Sequence, residues 1–387
     1  MNRLFFASGM ILLCGLCGWR SVRLGLSIAP DSAEYHFRLW QAQADGARNS
    51  LDELDRALKL NPRYAEAWIA RGLQQETAGD RSTAEASLLR AAGIDHLYLP
   101  LWTLANFYLR AGDLPRFWIW ARRAAEMAYD PAALFQLCWR ASAEAREILQ
   151  RAIPPAPAVR RAYLDFLVRS SRLDAAEFLA VELGQTADPA DLDLLLRYCD
   201  ALLARRRVEP ARRVWNALAA RRIIPYAPLD PAAGWSLTNG DLAVAPLQRG
   251  FDWRPTPVEG VAFSFYVDAH QMAISLSGKQ PEACSLVEQY LPVLPNRKYR
   301  FRYRYRTRDL PVDTGLGWSF VEARSATEVT DEAVSASPEE WREETLTFST
   351  PPGCDLLRVL LRYRRPHGHV RAEGSAEFGR LSLEAVS

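Results

Sequence analysis

Ala57-Leu58-Lys59-Leu60-Asn61-Pro62, running into Ala65-Glu66-Ala67-Trp68 and Gly72, joins two helices of unlike character. A helix with small residues on one face ends at a proline, which cannot continue it. A second helix, carrying a tryptophan, begins three residues later. Ala57 and Ala91 stand 34 positions apart, and Ala91 and Ala124 stand 33 apart. A fixed period of that length marks stacked helix pairs, each too small to bury its own apolar face. Gly79-Asp80 and Gly112-Asp113 fall where the two helices of a pair must turn. Gly72, Ala84 and Ala91 are small because antiparallel helices touch only where the contact positions are small. Phe117 breaks that pattern, but Ala121 follows one turn later in a slot that usually holds a bulky residue, so the sizes are exchanged.

The arrangement resembles the tetratricopeptide (TPR) repeat. With Ala65 as the first position, Trp68, Gly72, Ala84 and Ala91 occupy the slots that take Trp, Gly, Ala and Ala in that family, and Trp102, Ala105 and Tyr108 continue the pattern. Leu173-Asp174-Ala175-Ala176-Glu177 and Glu209-Pro210-Ala211, followed by Trp215 and Leu218, resemble later second helices. Residues 131–154 read as a shortened unit. About six helix pairs are expected over residues 30–222, with a generic right-handed helical solenoid as the alternative. The resemblance implies a scaffold whose first helices line a concave groove for a protein partner. In that register Glu66, Ile69, Leu73, Trp102, Asn106 and Leu109 would face it, although Trp102 and Leu109 read equally well as packing between repeats.

At 387 residues two or three domains are expected. A net charge of +2 provides no global field for nucleic acid, so no nucleic-acid partner is expected. Arg3 precedes a charge-free run, 4–19, closed by Arg20 and Arg23. A spanning helix needs about 20 apolar residues, which this run approaches if the two arginines snorkel. Residues 1–29 are therefore read as a single-pass membrane anchor. Ser27-Ile28-Ala29 keeps a cleaved signal segment as the rival reading, although Pro30 directly after it disfavours cleavage. Short amino-terminal anchors usually leave the bulk of a chain extracytoplasmic, here at a bacterial cell membrane. Of the six cysteines, Cys14 and Cys17 fall in the apolar run, and Cys284 and Cys354 would be able to pair in an oxidising compartment.

Pro225, Pro228 and Pro231 mark residues 223–234 as a stiff linker. Beyond it the period changes from 3.6 to 2. Tyr299-Arg300-Phe301-Arg302-Tyr303-Arg304-Tyr305-Arg306 alternates without a break, giving one aromatic face and one cationic face. Segments 344–348, 357–363 and 380–384 also read as strands, so residues 235–387 are expected to form an antiparallel β-sandwich. The layout resembles the CenC-like carbohydrate-binding jelly rolls, with Asn239-Gly240-Asp241-Leu242 in place of their opening motif and Trp253 after it. Glu377-Phe378-Gly379-Arg380 replaces the paired aspartates that feed a calcium site in such modules, so no metal is expected.

Sugars stack on exposed aromatic rings, which nominates Trp235, Trp253 and Trp318, but sandwich cores also bury tryptophans, and packing in the core or rim is the stronger reading of each. Arg302, Arg304 and Arg306 would grip an anionic polysaccharide through charge-assisted hydrogen bonds. Pairing with acidic neighbours such as Glu343 or Glu344 is the structural alternative. No H-E-x-x-H, phosphate-binding loop or G-x-S-x-G occurs. His367 and His369 share a turn without a third ligand. The chain reads as a non-enzymatic, cofactor-free, membrane-anchored adaptor, its repeats holding a protein and its sandwich a glycan or second protein, as in envelope polysaccharide assembly. The rival is a carbohydrate-binding module for which the repeats are only a spacer.

Overall fold

The computed structural model describes residues 32–44 and 51–386. The expected membrane anchor, with Cys14 and Cys17, lies outside the described residues. Among those described, no helix is long and apolar enough to cross a membrane. Among the described residues twelve α-helices are followed by ten β-strands, and the chain divides into two compact units, Met1–Phe166 and Leu167–Ser387.

In chain order the helices read as six helix–turn–helix units: α1 (Ala33–Ala44) and α2 (Asp52–Leu60), α3 (Ala65–Thr77) and α4 (Arg81–Ile94), α5 (Tyr98–Arg110) and α6 (Leu114–Met127), α7 (Ala132–Ala141) and α8 (Ala145–Arg151), α9 (Pro157–Arg169) and α10 (Leu173–Thr186), α11 (Leu192–Ala204) and α12 (Val208–Ala220). The two turns marked by glycine and aspartate form as expected. Gly79 and Gly112 take left-handed backbone angles, and Asp80 and Asp113 then accept from the Thr83 and Arg116 amides, at 3.2 and 3.0 Å. Each cap satisfies one orphan amide of the helix it opens.

The close approach of α3 and α4 requires Gly72. A Cβ there would stand 2.7 Å from the Leu88 side chain. Phe117 and Ala121 are both fully buried, so the exchange of sizes is accommodated. Successive repeats are tied by polar contacts at repeat spacing. Arg110 grips Glu76 with two nitrogens at 2.8 and 2.6 Å, and Glu85 accepts from Tyr108 and Arg116 at 2.8 and 2.7 Å.

The second unit joins the last helices to a sandwich of two five-stranded antiparallel sheets. The strands are β1 (Arg254–Pro255), β2 (Val261–Tyr266), β3 (Gln271–Ser277), β4 (Ala283–Pro292), β5 (Lys298–Arg308), β6 (Asp313–Glu322), β7 (Glu328–Ser335), β8 (Arg342–Ser349), β9 (Leu356–Arg364) and β10 (Glu373–Val386). One sheet runs β1-β4-β9-β6-β7 and the other β2-β3-β10-β5-β8. Their inward residues share one core. Tyr299, Phe301, Tyr303 and Tyr305 of β5 meet Leu316, Trp318 and Phe320 of β6, and all are buried. The period-2 reading of β5 thus holds along its whole length.

The proline-rich stretch is not a free joint. Asn216 of α12 brackets the Leu229 backbone, donating to its carbonyl and accepting from its amide, both at 2.8 Å. Tyr226 lies parallel to Trp215, their rings 5.7 Å apart. The helix end of this unit is held to the sandwich by Asp200, which accepts from the Gly250 amide at 2.8 Å and from Arg254 at 2.6 Å. Helices α11 and α12 therefore belong with the strands, and the compact division falls at Phe166 instead of within residues 223–234. Limited proteolysis of the whole protein is expected to spare 223–234, since a backbone pinned by hydrogen bonds resists cleavage. Early cutting there, releasing an intact sandwich, would contradict this.

The four cysteines of the described residues are unbonded. Cys284 and Cys354 do not pair. Burial raises the Cys354 thiol to about 11 and the Cys138 thiol to about 12, so both stay protonated at neutral pH.

Candidate functional site

The groove residues expected on the repeats lie on α3 and α5, two successive first helices. Glu66 and Leu73 are exposed, whereas Ile69 is buried and cannot meet a partner. Trp102, Asn106 and Leu109 are half-buried, and the Asn106 amide donates to the Trp102 carbonyl at 3.0 Å. Trp102 Nε1 has no partner. Of the six expected groove residues, only Leu73 and Glu66 are exposed.

Two of the three tryptophans expected as sugar platforms are core residues. Trp253 and Trp318 are both fully buried, with ring centroids 6.1 Å apart and planes tilted by 58°. Trp318 also meets Phe301 and Phe378 edge-on, at 5.3 and 5.6 Å. Neither ring has a face to offer a ligand. Trp235 is different, being 61% exposed.

The cationic face of β5 forms, but it is not uniform. Arg306 is gripped by Glu377 of β10 at 2.9 and 2.7 Å, and Arg302 approaches Glu384 of the same strand at 3.5 Å. Antiparallel pairing sets Glu377 directly opposite Arg306, whereas Glu343 of β8, though directly opposite Arg304, is not within ion-pair distance of it. Arg300, Arg304 and Arg308 have no carboxylate within ion-pair distance among the described residues. Arg304 instead lies over Trp341, its guanidinium carbon 4.4 Å from the ring centre, and Arg306 lies at 4.9 Å from the same ring.

Trp341 was not among the expected site residues. The register of β8 on β5 sets Arg342 opposite Tyr305, which brings the preceding Trp341 up to Arg304 and Arg306. Only knowledge of that pairing would have revealed it. Beside this cluster Arg306, Thr307, Arg308, Glu339, Ser375 and Glu377 enclose a cavity of about 220 Å³. Cation–π contact with an indole directs a guanidinium without using its hydrogen-bond donors.

No family model and no curated protein matches this chain. The likenesses found are to solved structures. A structure described as "CBM4 structure and function" is 11% identical, covers 39% of this chain and all of its own, and has a TM-score of 0.32. The TPR protein YrrB, described as having an unusual peptide-binding site, is 14% identical over 53% of this chain and 92% of its own, at a TM-score of 0.28. A carbohydrate-binding module of Cellvibrio mixtus lichenase 5A, solved with cellotriose, is 12% identical over 34% of this chain and 92% of its own, at a TM-score of 0.23.

Proposed function

We propose that this protein is a non-enzymatic adaptor, anchored in a bacterial membrane by residues 1–29 with its bulk outside the cytoplasm, whose repeats hold a protein partner and whose sandwich holds an acidic glycan. The observation that carries the glycan half is the outer face of β5, where Arg304 lies over Trp341 with no carboxylate within ion-pair distance, and Arg300 and Arg308 share its face. Such a face can meet the carboxylate or sulfate of a polysaccharide along an extended chain, one arginine every second residue. Exposed Leu73 and Glu66, both on α3, support the partner half. The apolar run 4–19 supports the anchor.

Polygalacturonate, alginate and their neutral counterparts provide the test on the detergent-solubilised whole protein. Acidic chains are expected to bind and to be weakened by salt, because charges on an open face are screened beyond about 8 Å at physiological ionic strength. Replacing Arg304 and Arg308 together by serine is expected to weaken that binding by roughly tenfold or more while the protein stays folded, since neither contributes to the core. Arg306 is less suitable as a probe, because its removal strands Glu377. Equal binding of neutral and acidic chains, or indifference to salt, would leave the arginines with a purely structural role. The partner half fails if Leu73→Asp leaves cross-linking to native membrane neighbours unchanged.

A further inference from the structure

The helical unit carries an apolar face that its own repeats leave open, made by the second helices α4 and α6. A groove of about 360 Å³ runs between them, with Leu89, Trp120 and Met127 on its rim and buried Leu101 of α5 beneath. Arg123 and Glu126 are shared with a second groove of about 580 Å³, which reaches Ile119, Arg122 and Arg151. Ile119 and Met127 are 54% and 52% exposed, and Leu89 is exposed as well. Large apolar side chains gathered on one face differ from the singly scattered ones of an ordinary surface.

Gly93 keeps the first groove open. It lies inside α4, where glycine destabilises a helix relative to alanine. A Cβ added there would meet nothing within 4 Å, so the packing of the unit does not ask for glycine at this position. The space it leaves faces outward, between exposed Leu89 and His96.

The charge on this face is mostly positive and mostly unpaired. Arg123 lies over Trp120, its guanidinium carbon 4.8 Å from the ring centre. Arg122 donates to the Gln150 carbonyl at 3.2 Å. Neither of these nor Arg90, one turn before Gly93, has a carboxylate within ion-pair distance among the described residues. Arg151 is held by Glu147 at 3.3 Å, and Glu126 is the one carboxylate lining the two grooves. Nearer the start of α6 the pattern is different, since Arg116 there is paired with Glu85 at 2.7 Å.

We propose that this face docks on the surface of an anionic bilayer, its apolar side chains entering the headgroup region and Arg90, Arg122 and Arg123 meeting lipid phosphates. Aliphatic side chains and a tryptophan beside unpaired arginines suit a membrane interface, where the ring sits at headgroup level and the cations face anionic lipid. The chain itself supplies proximity. Between the apolar run 4–19 and the start of α1 at Ala33, residues 20–32 reach at most about 45 Å at full extension. The docking rests on the proposed anchor for this proximity alone. It gives the repeats a second surface, apart from Glu66 and Leu73 of α3.

The test uses the whole protein, purified in detergent and reconstituted into nanodiscs of phosphatidylcholine alone or mixed with phosphatidylglycerol. Ile119→Cys reads the face, because a water-soluble maleimide reaches a cysteine only where water does, and peptide mass spectrometry separates it from the native cysteines. Its modification is expected to be roughly fivefold slower in the anionic discs, the effect of about one basic residue near a charged surface. Glu66→Cys, exposed on α3, should react alike in both. Arg90→Ser combined with Arg123→Ser should restore the neutral-disc rate, and added salt should do the same. If the protein elutes apart from neutral discs, the anchor fails but the face does not; anionic discs should then still capture the whole chain, and the double variant should escape them. The proposal is overturned if Ile119→Cys reacts equally in both discs or if the double variant stays protected. It is also overturned if protection appears without lipid and grows with protein concentration, which would make the face a contact between copies of this chain, or if it requires an added protein extract.

Discussion

Replacing Trp318 by alanine is expected to cost about 3–5 kcal/mol, the range for deleting a large aromatic from a packed core. The ring is fully buried and touches Trp253, Phe301, Tyr303 and Phe378, so both sheets lose contacts together. Aromatic pairs of this kind contribute about 0.5–1.5 kcal/mol each beyond the area they bury. One feature works against the tryptophan. Its Nε1 is buried without a partner, a cost that any hydrocarbon ring would remove. Trp318→Phe is therefore expected to stay within about 1.5 kcal/mol of the parent. Urea unfolding followed by circular dichroism measures both variants. A Trp318→Ala protein as stable as the parent would show that the ring is not at the centre of the core, and a Trp318→Phe loss as large as that of alanine would show that the N–H does find a partner.

Gly250→Ala is expected to loosen the helices of the second unit from its sandwich. Gly250 has a φ of +60°, which an alanine adopts only with strain, and a new Cβ would stand 2.6 Å from Trp215 Cε3 and nearer still to its neighbour on the ring. Trp215 cannot swing away, because Tyr226 stacks on it and Phe251 meets it edge-on at 5.8 Å. Overpacking of this kind costs about 1–3 kcal/mol, and the Gly250 amide that donates to Asp200 would be displaced with it. Hydrogen exchange is the discriminating measurement. Amides of α11 and α12 should lose protection in the variant while those of β5 and β10 keep theirs. Unchanged protection in α11 and α12 would mean that the Trp215 seat is soft enough to absorb a methyl group.

Much of the fold was legible because its determinants are local. Gly79-Asp80 and Gly112-Asp113 combine a left-handed turn with a side-chain cap, and each acts within four residues. The alternation of β5 likewise needs no partner to be read. Misreadings arose where a distant strand decides the outcome. Trp318 shares its parity with Leu316 and Phe320, and that sequence clue to burial was outweighed by the resemblance to sugar-binding modules. Trp253 precedes a two-residue strand and has no parity to read. The partner of Arg306 stands 71 positions away on β10, beyond any neighbour-based expectation. Prolines 225, 228 and 231 read as a linker, but stiffness alone does not decide whether a segment is free or packed; Asn216 and Trp215, both earlier in the chain, decide it.

The two core indoles have an optical consequence. Transition dipoles of two indoles 6.1 Å apart and inclined by 58° couple strongly, and that geometry produces a signed pair of bands in the ultraviolet circular dichroism. Both rings sit in the core of the sandwich, which therefore carries its own label. In one thermal scan the split band would follow the β-core while the amide signal follows the helices, without any added dye or engineered probe.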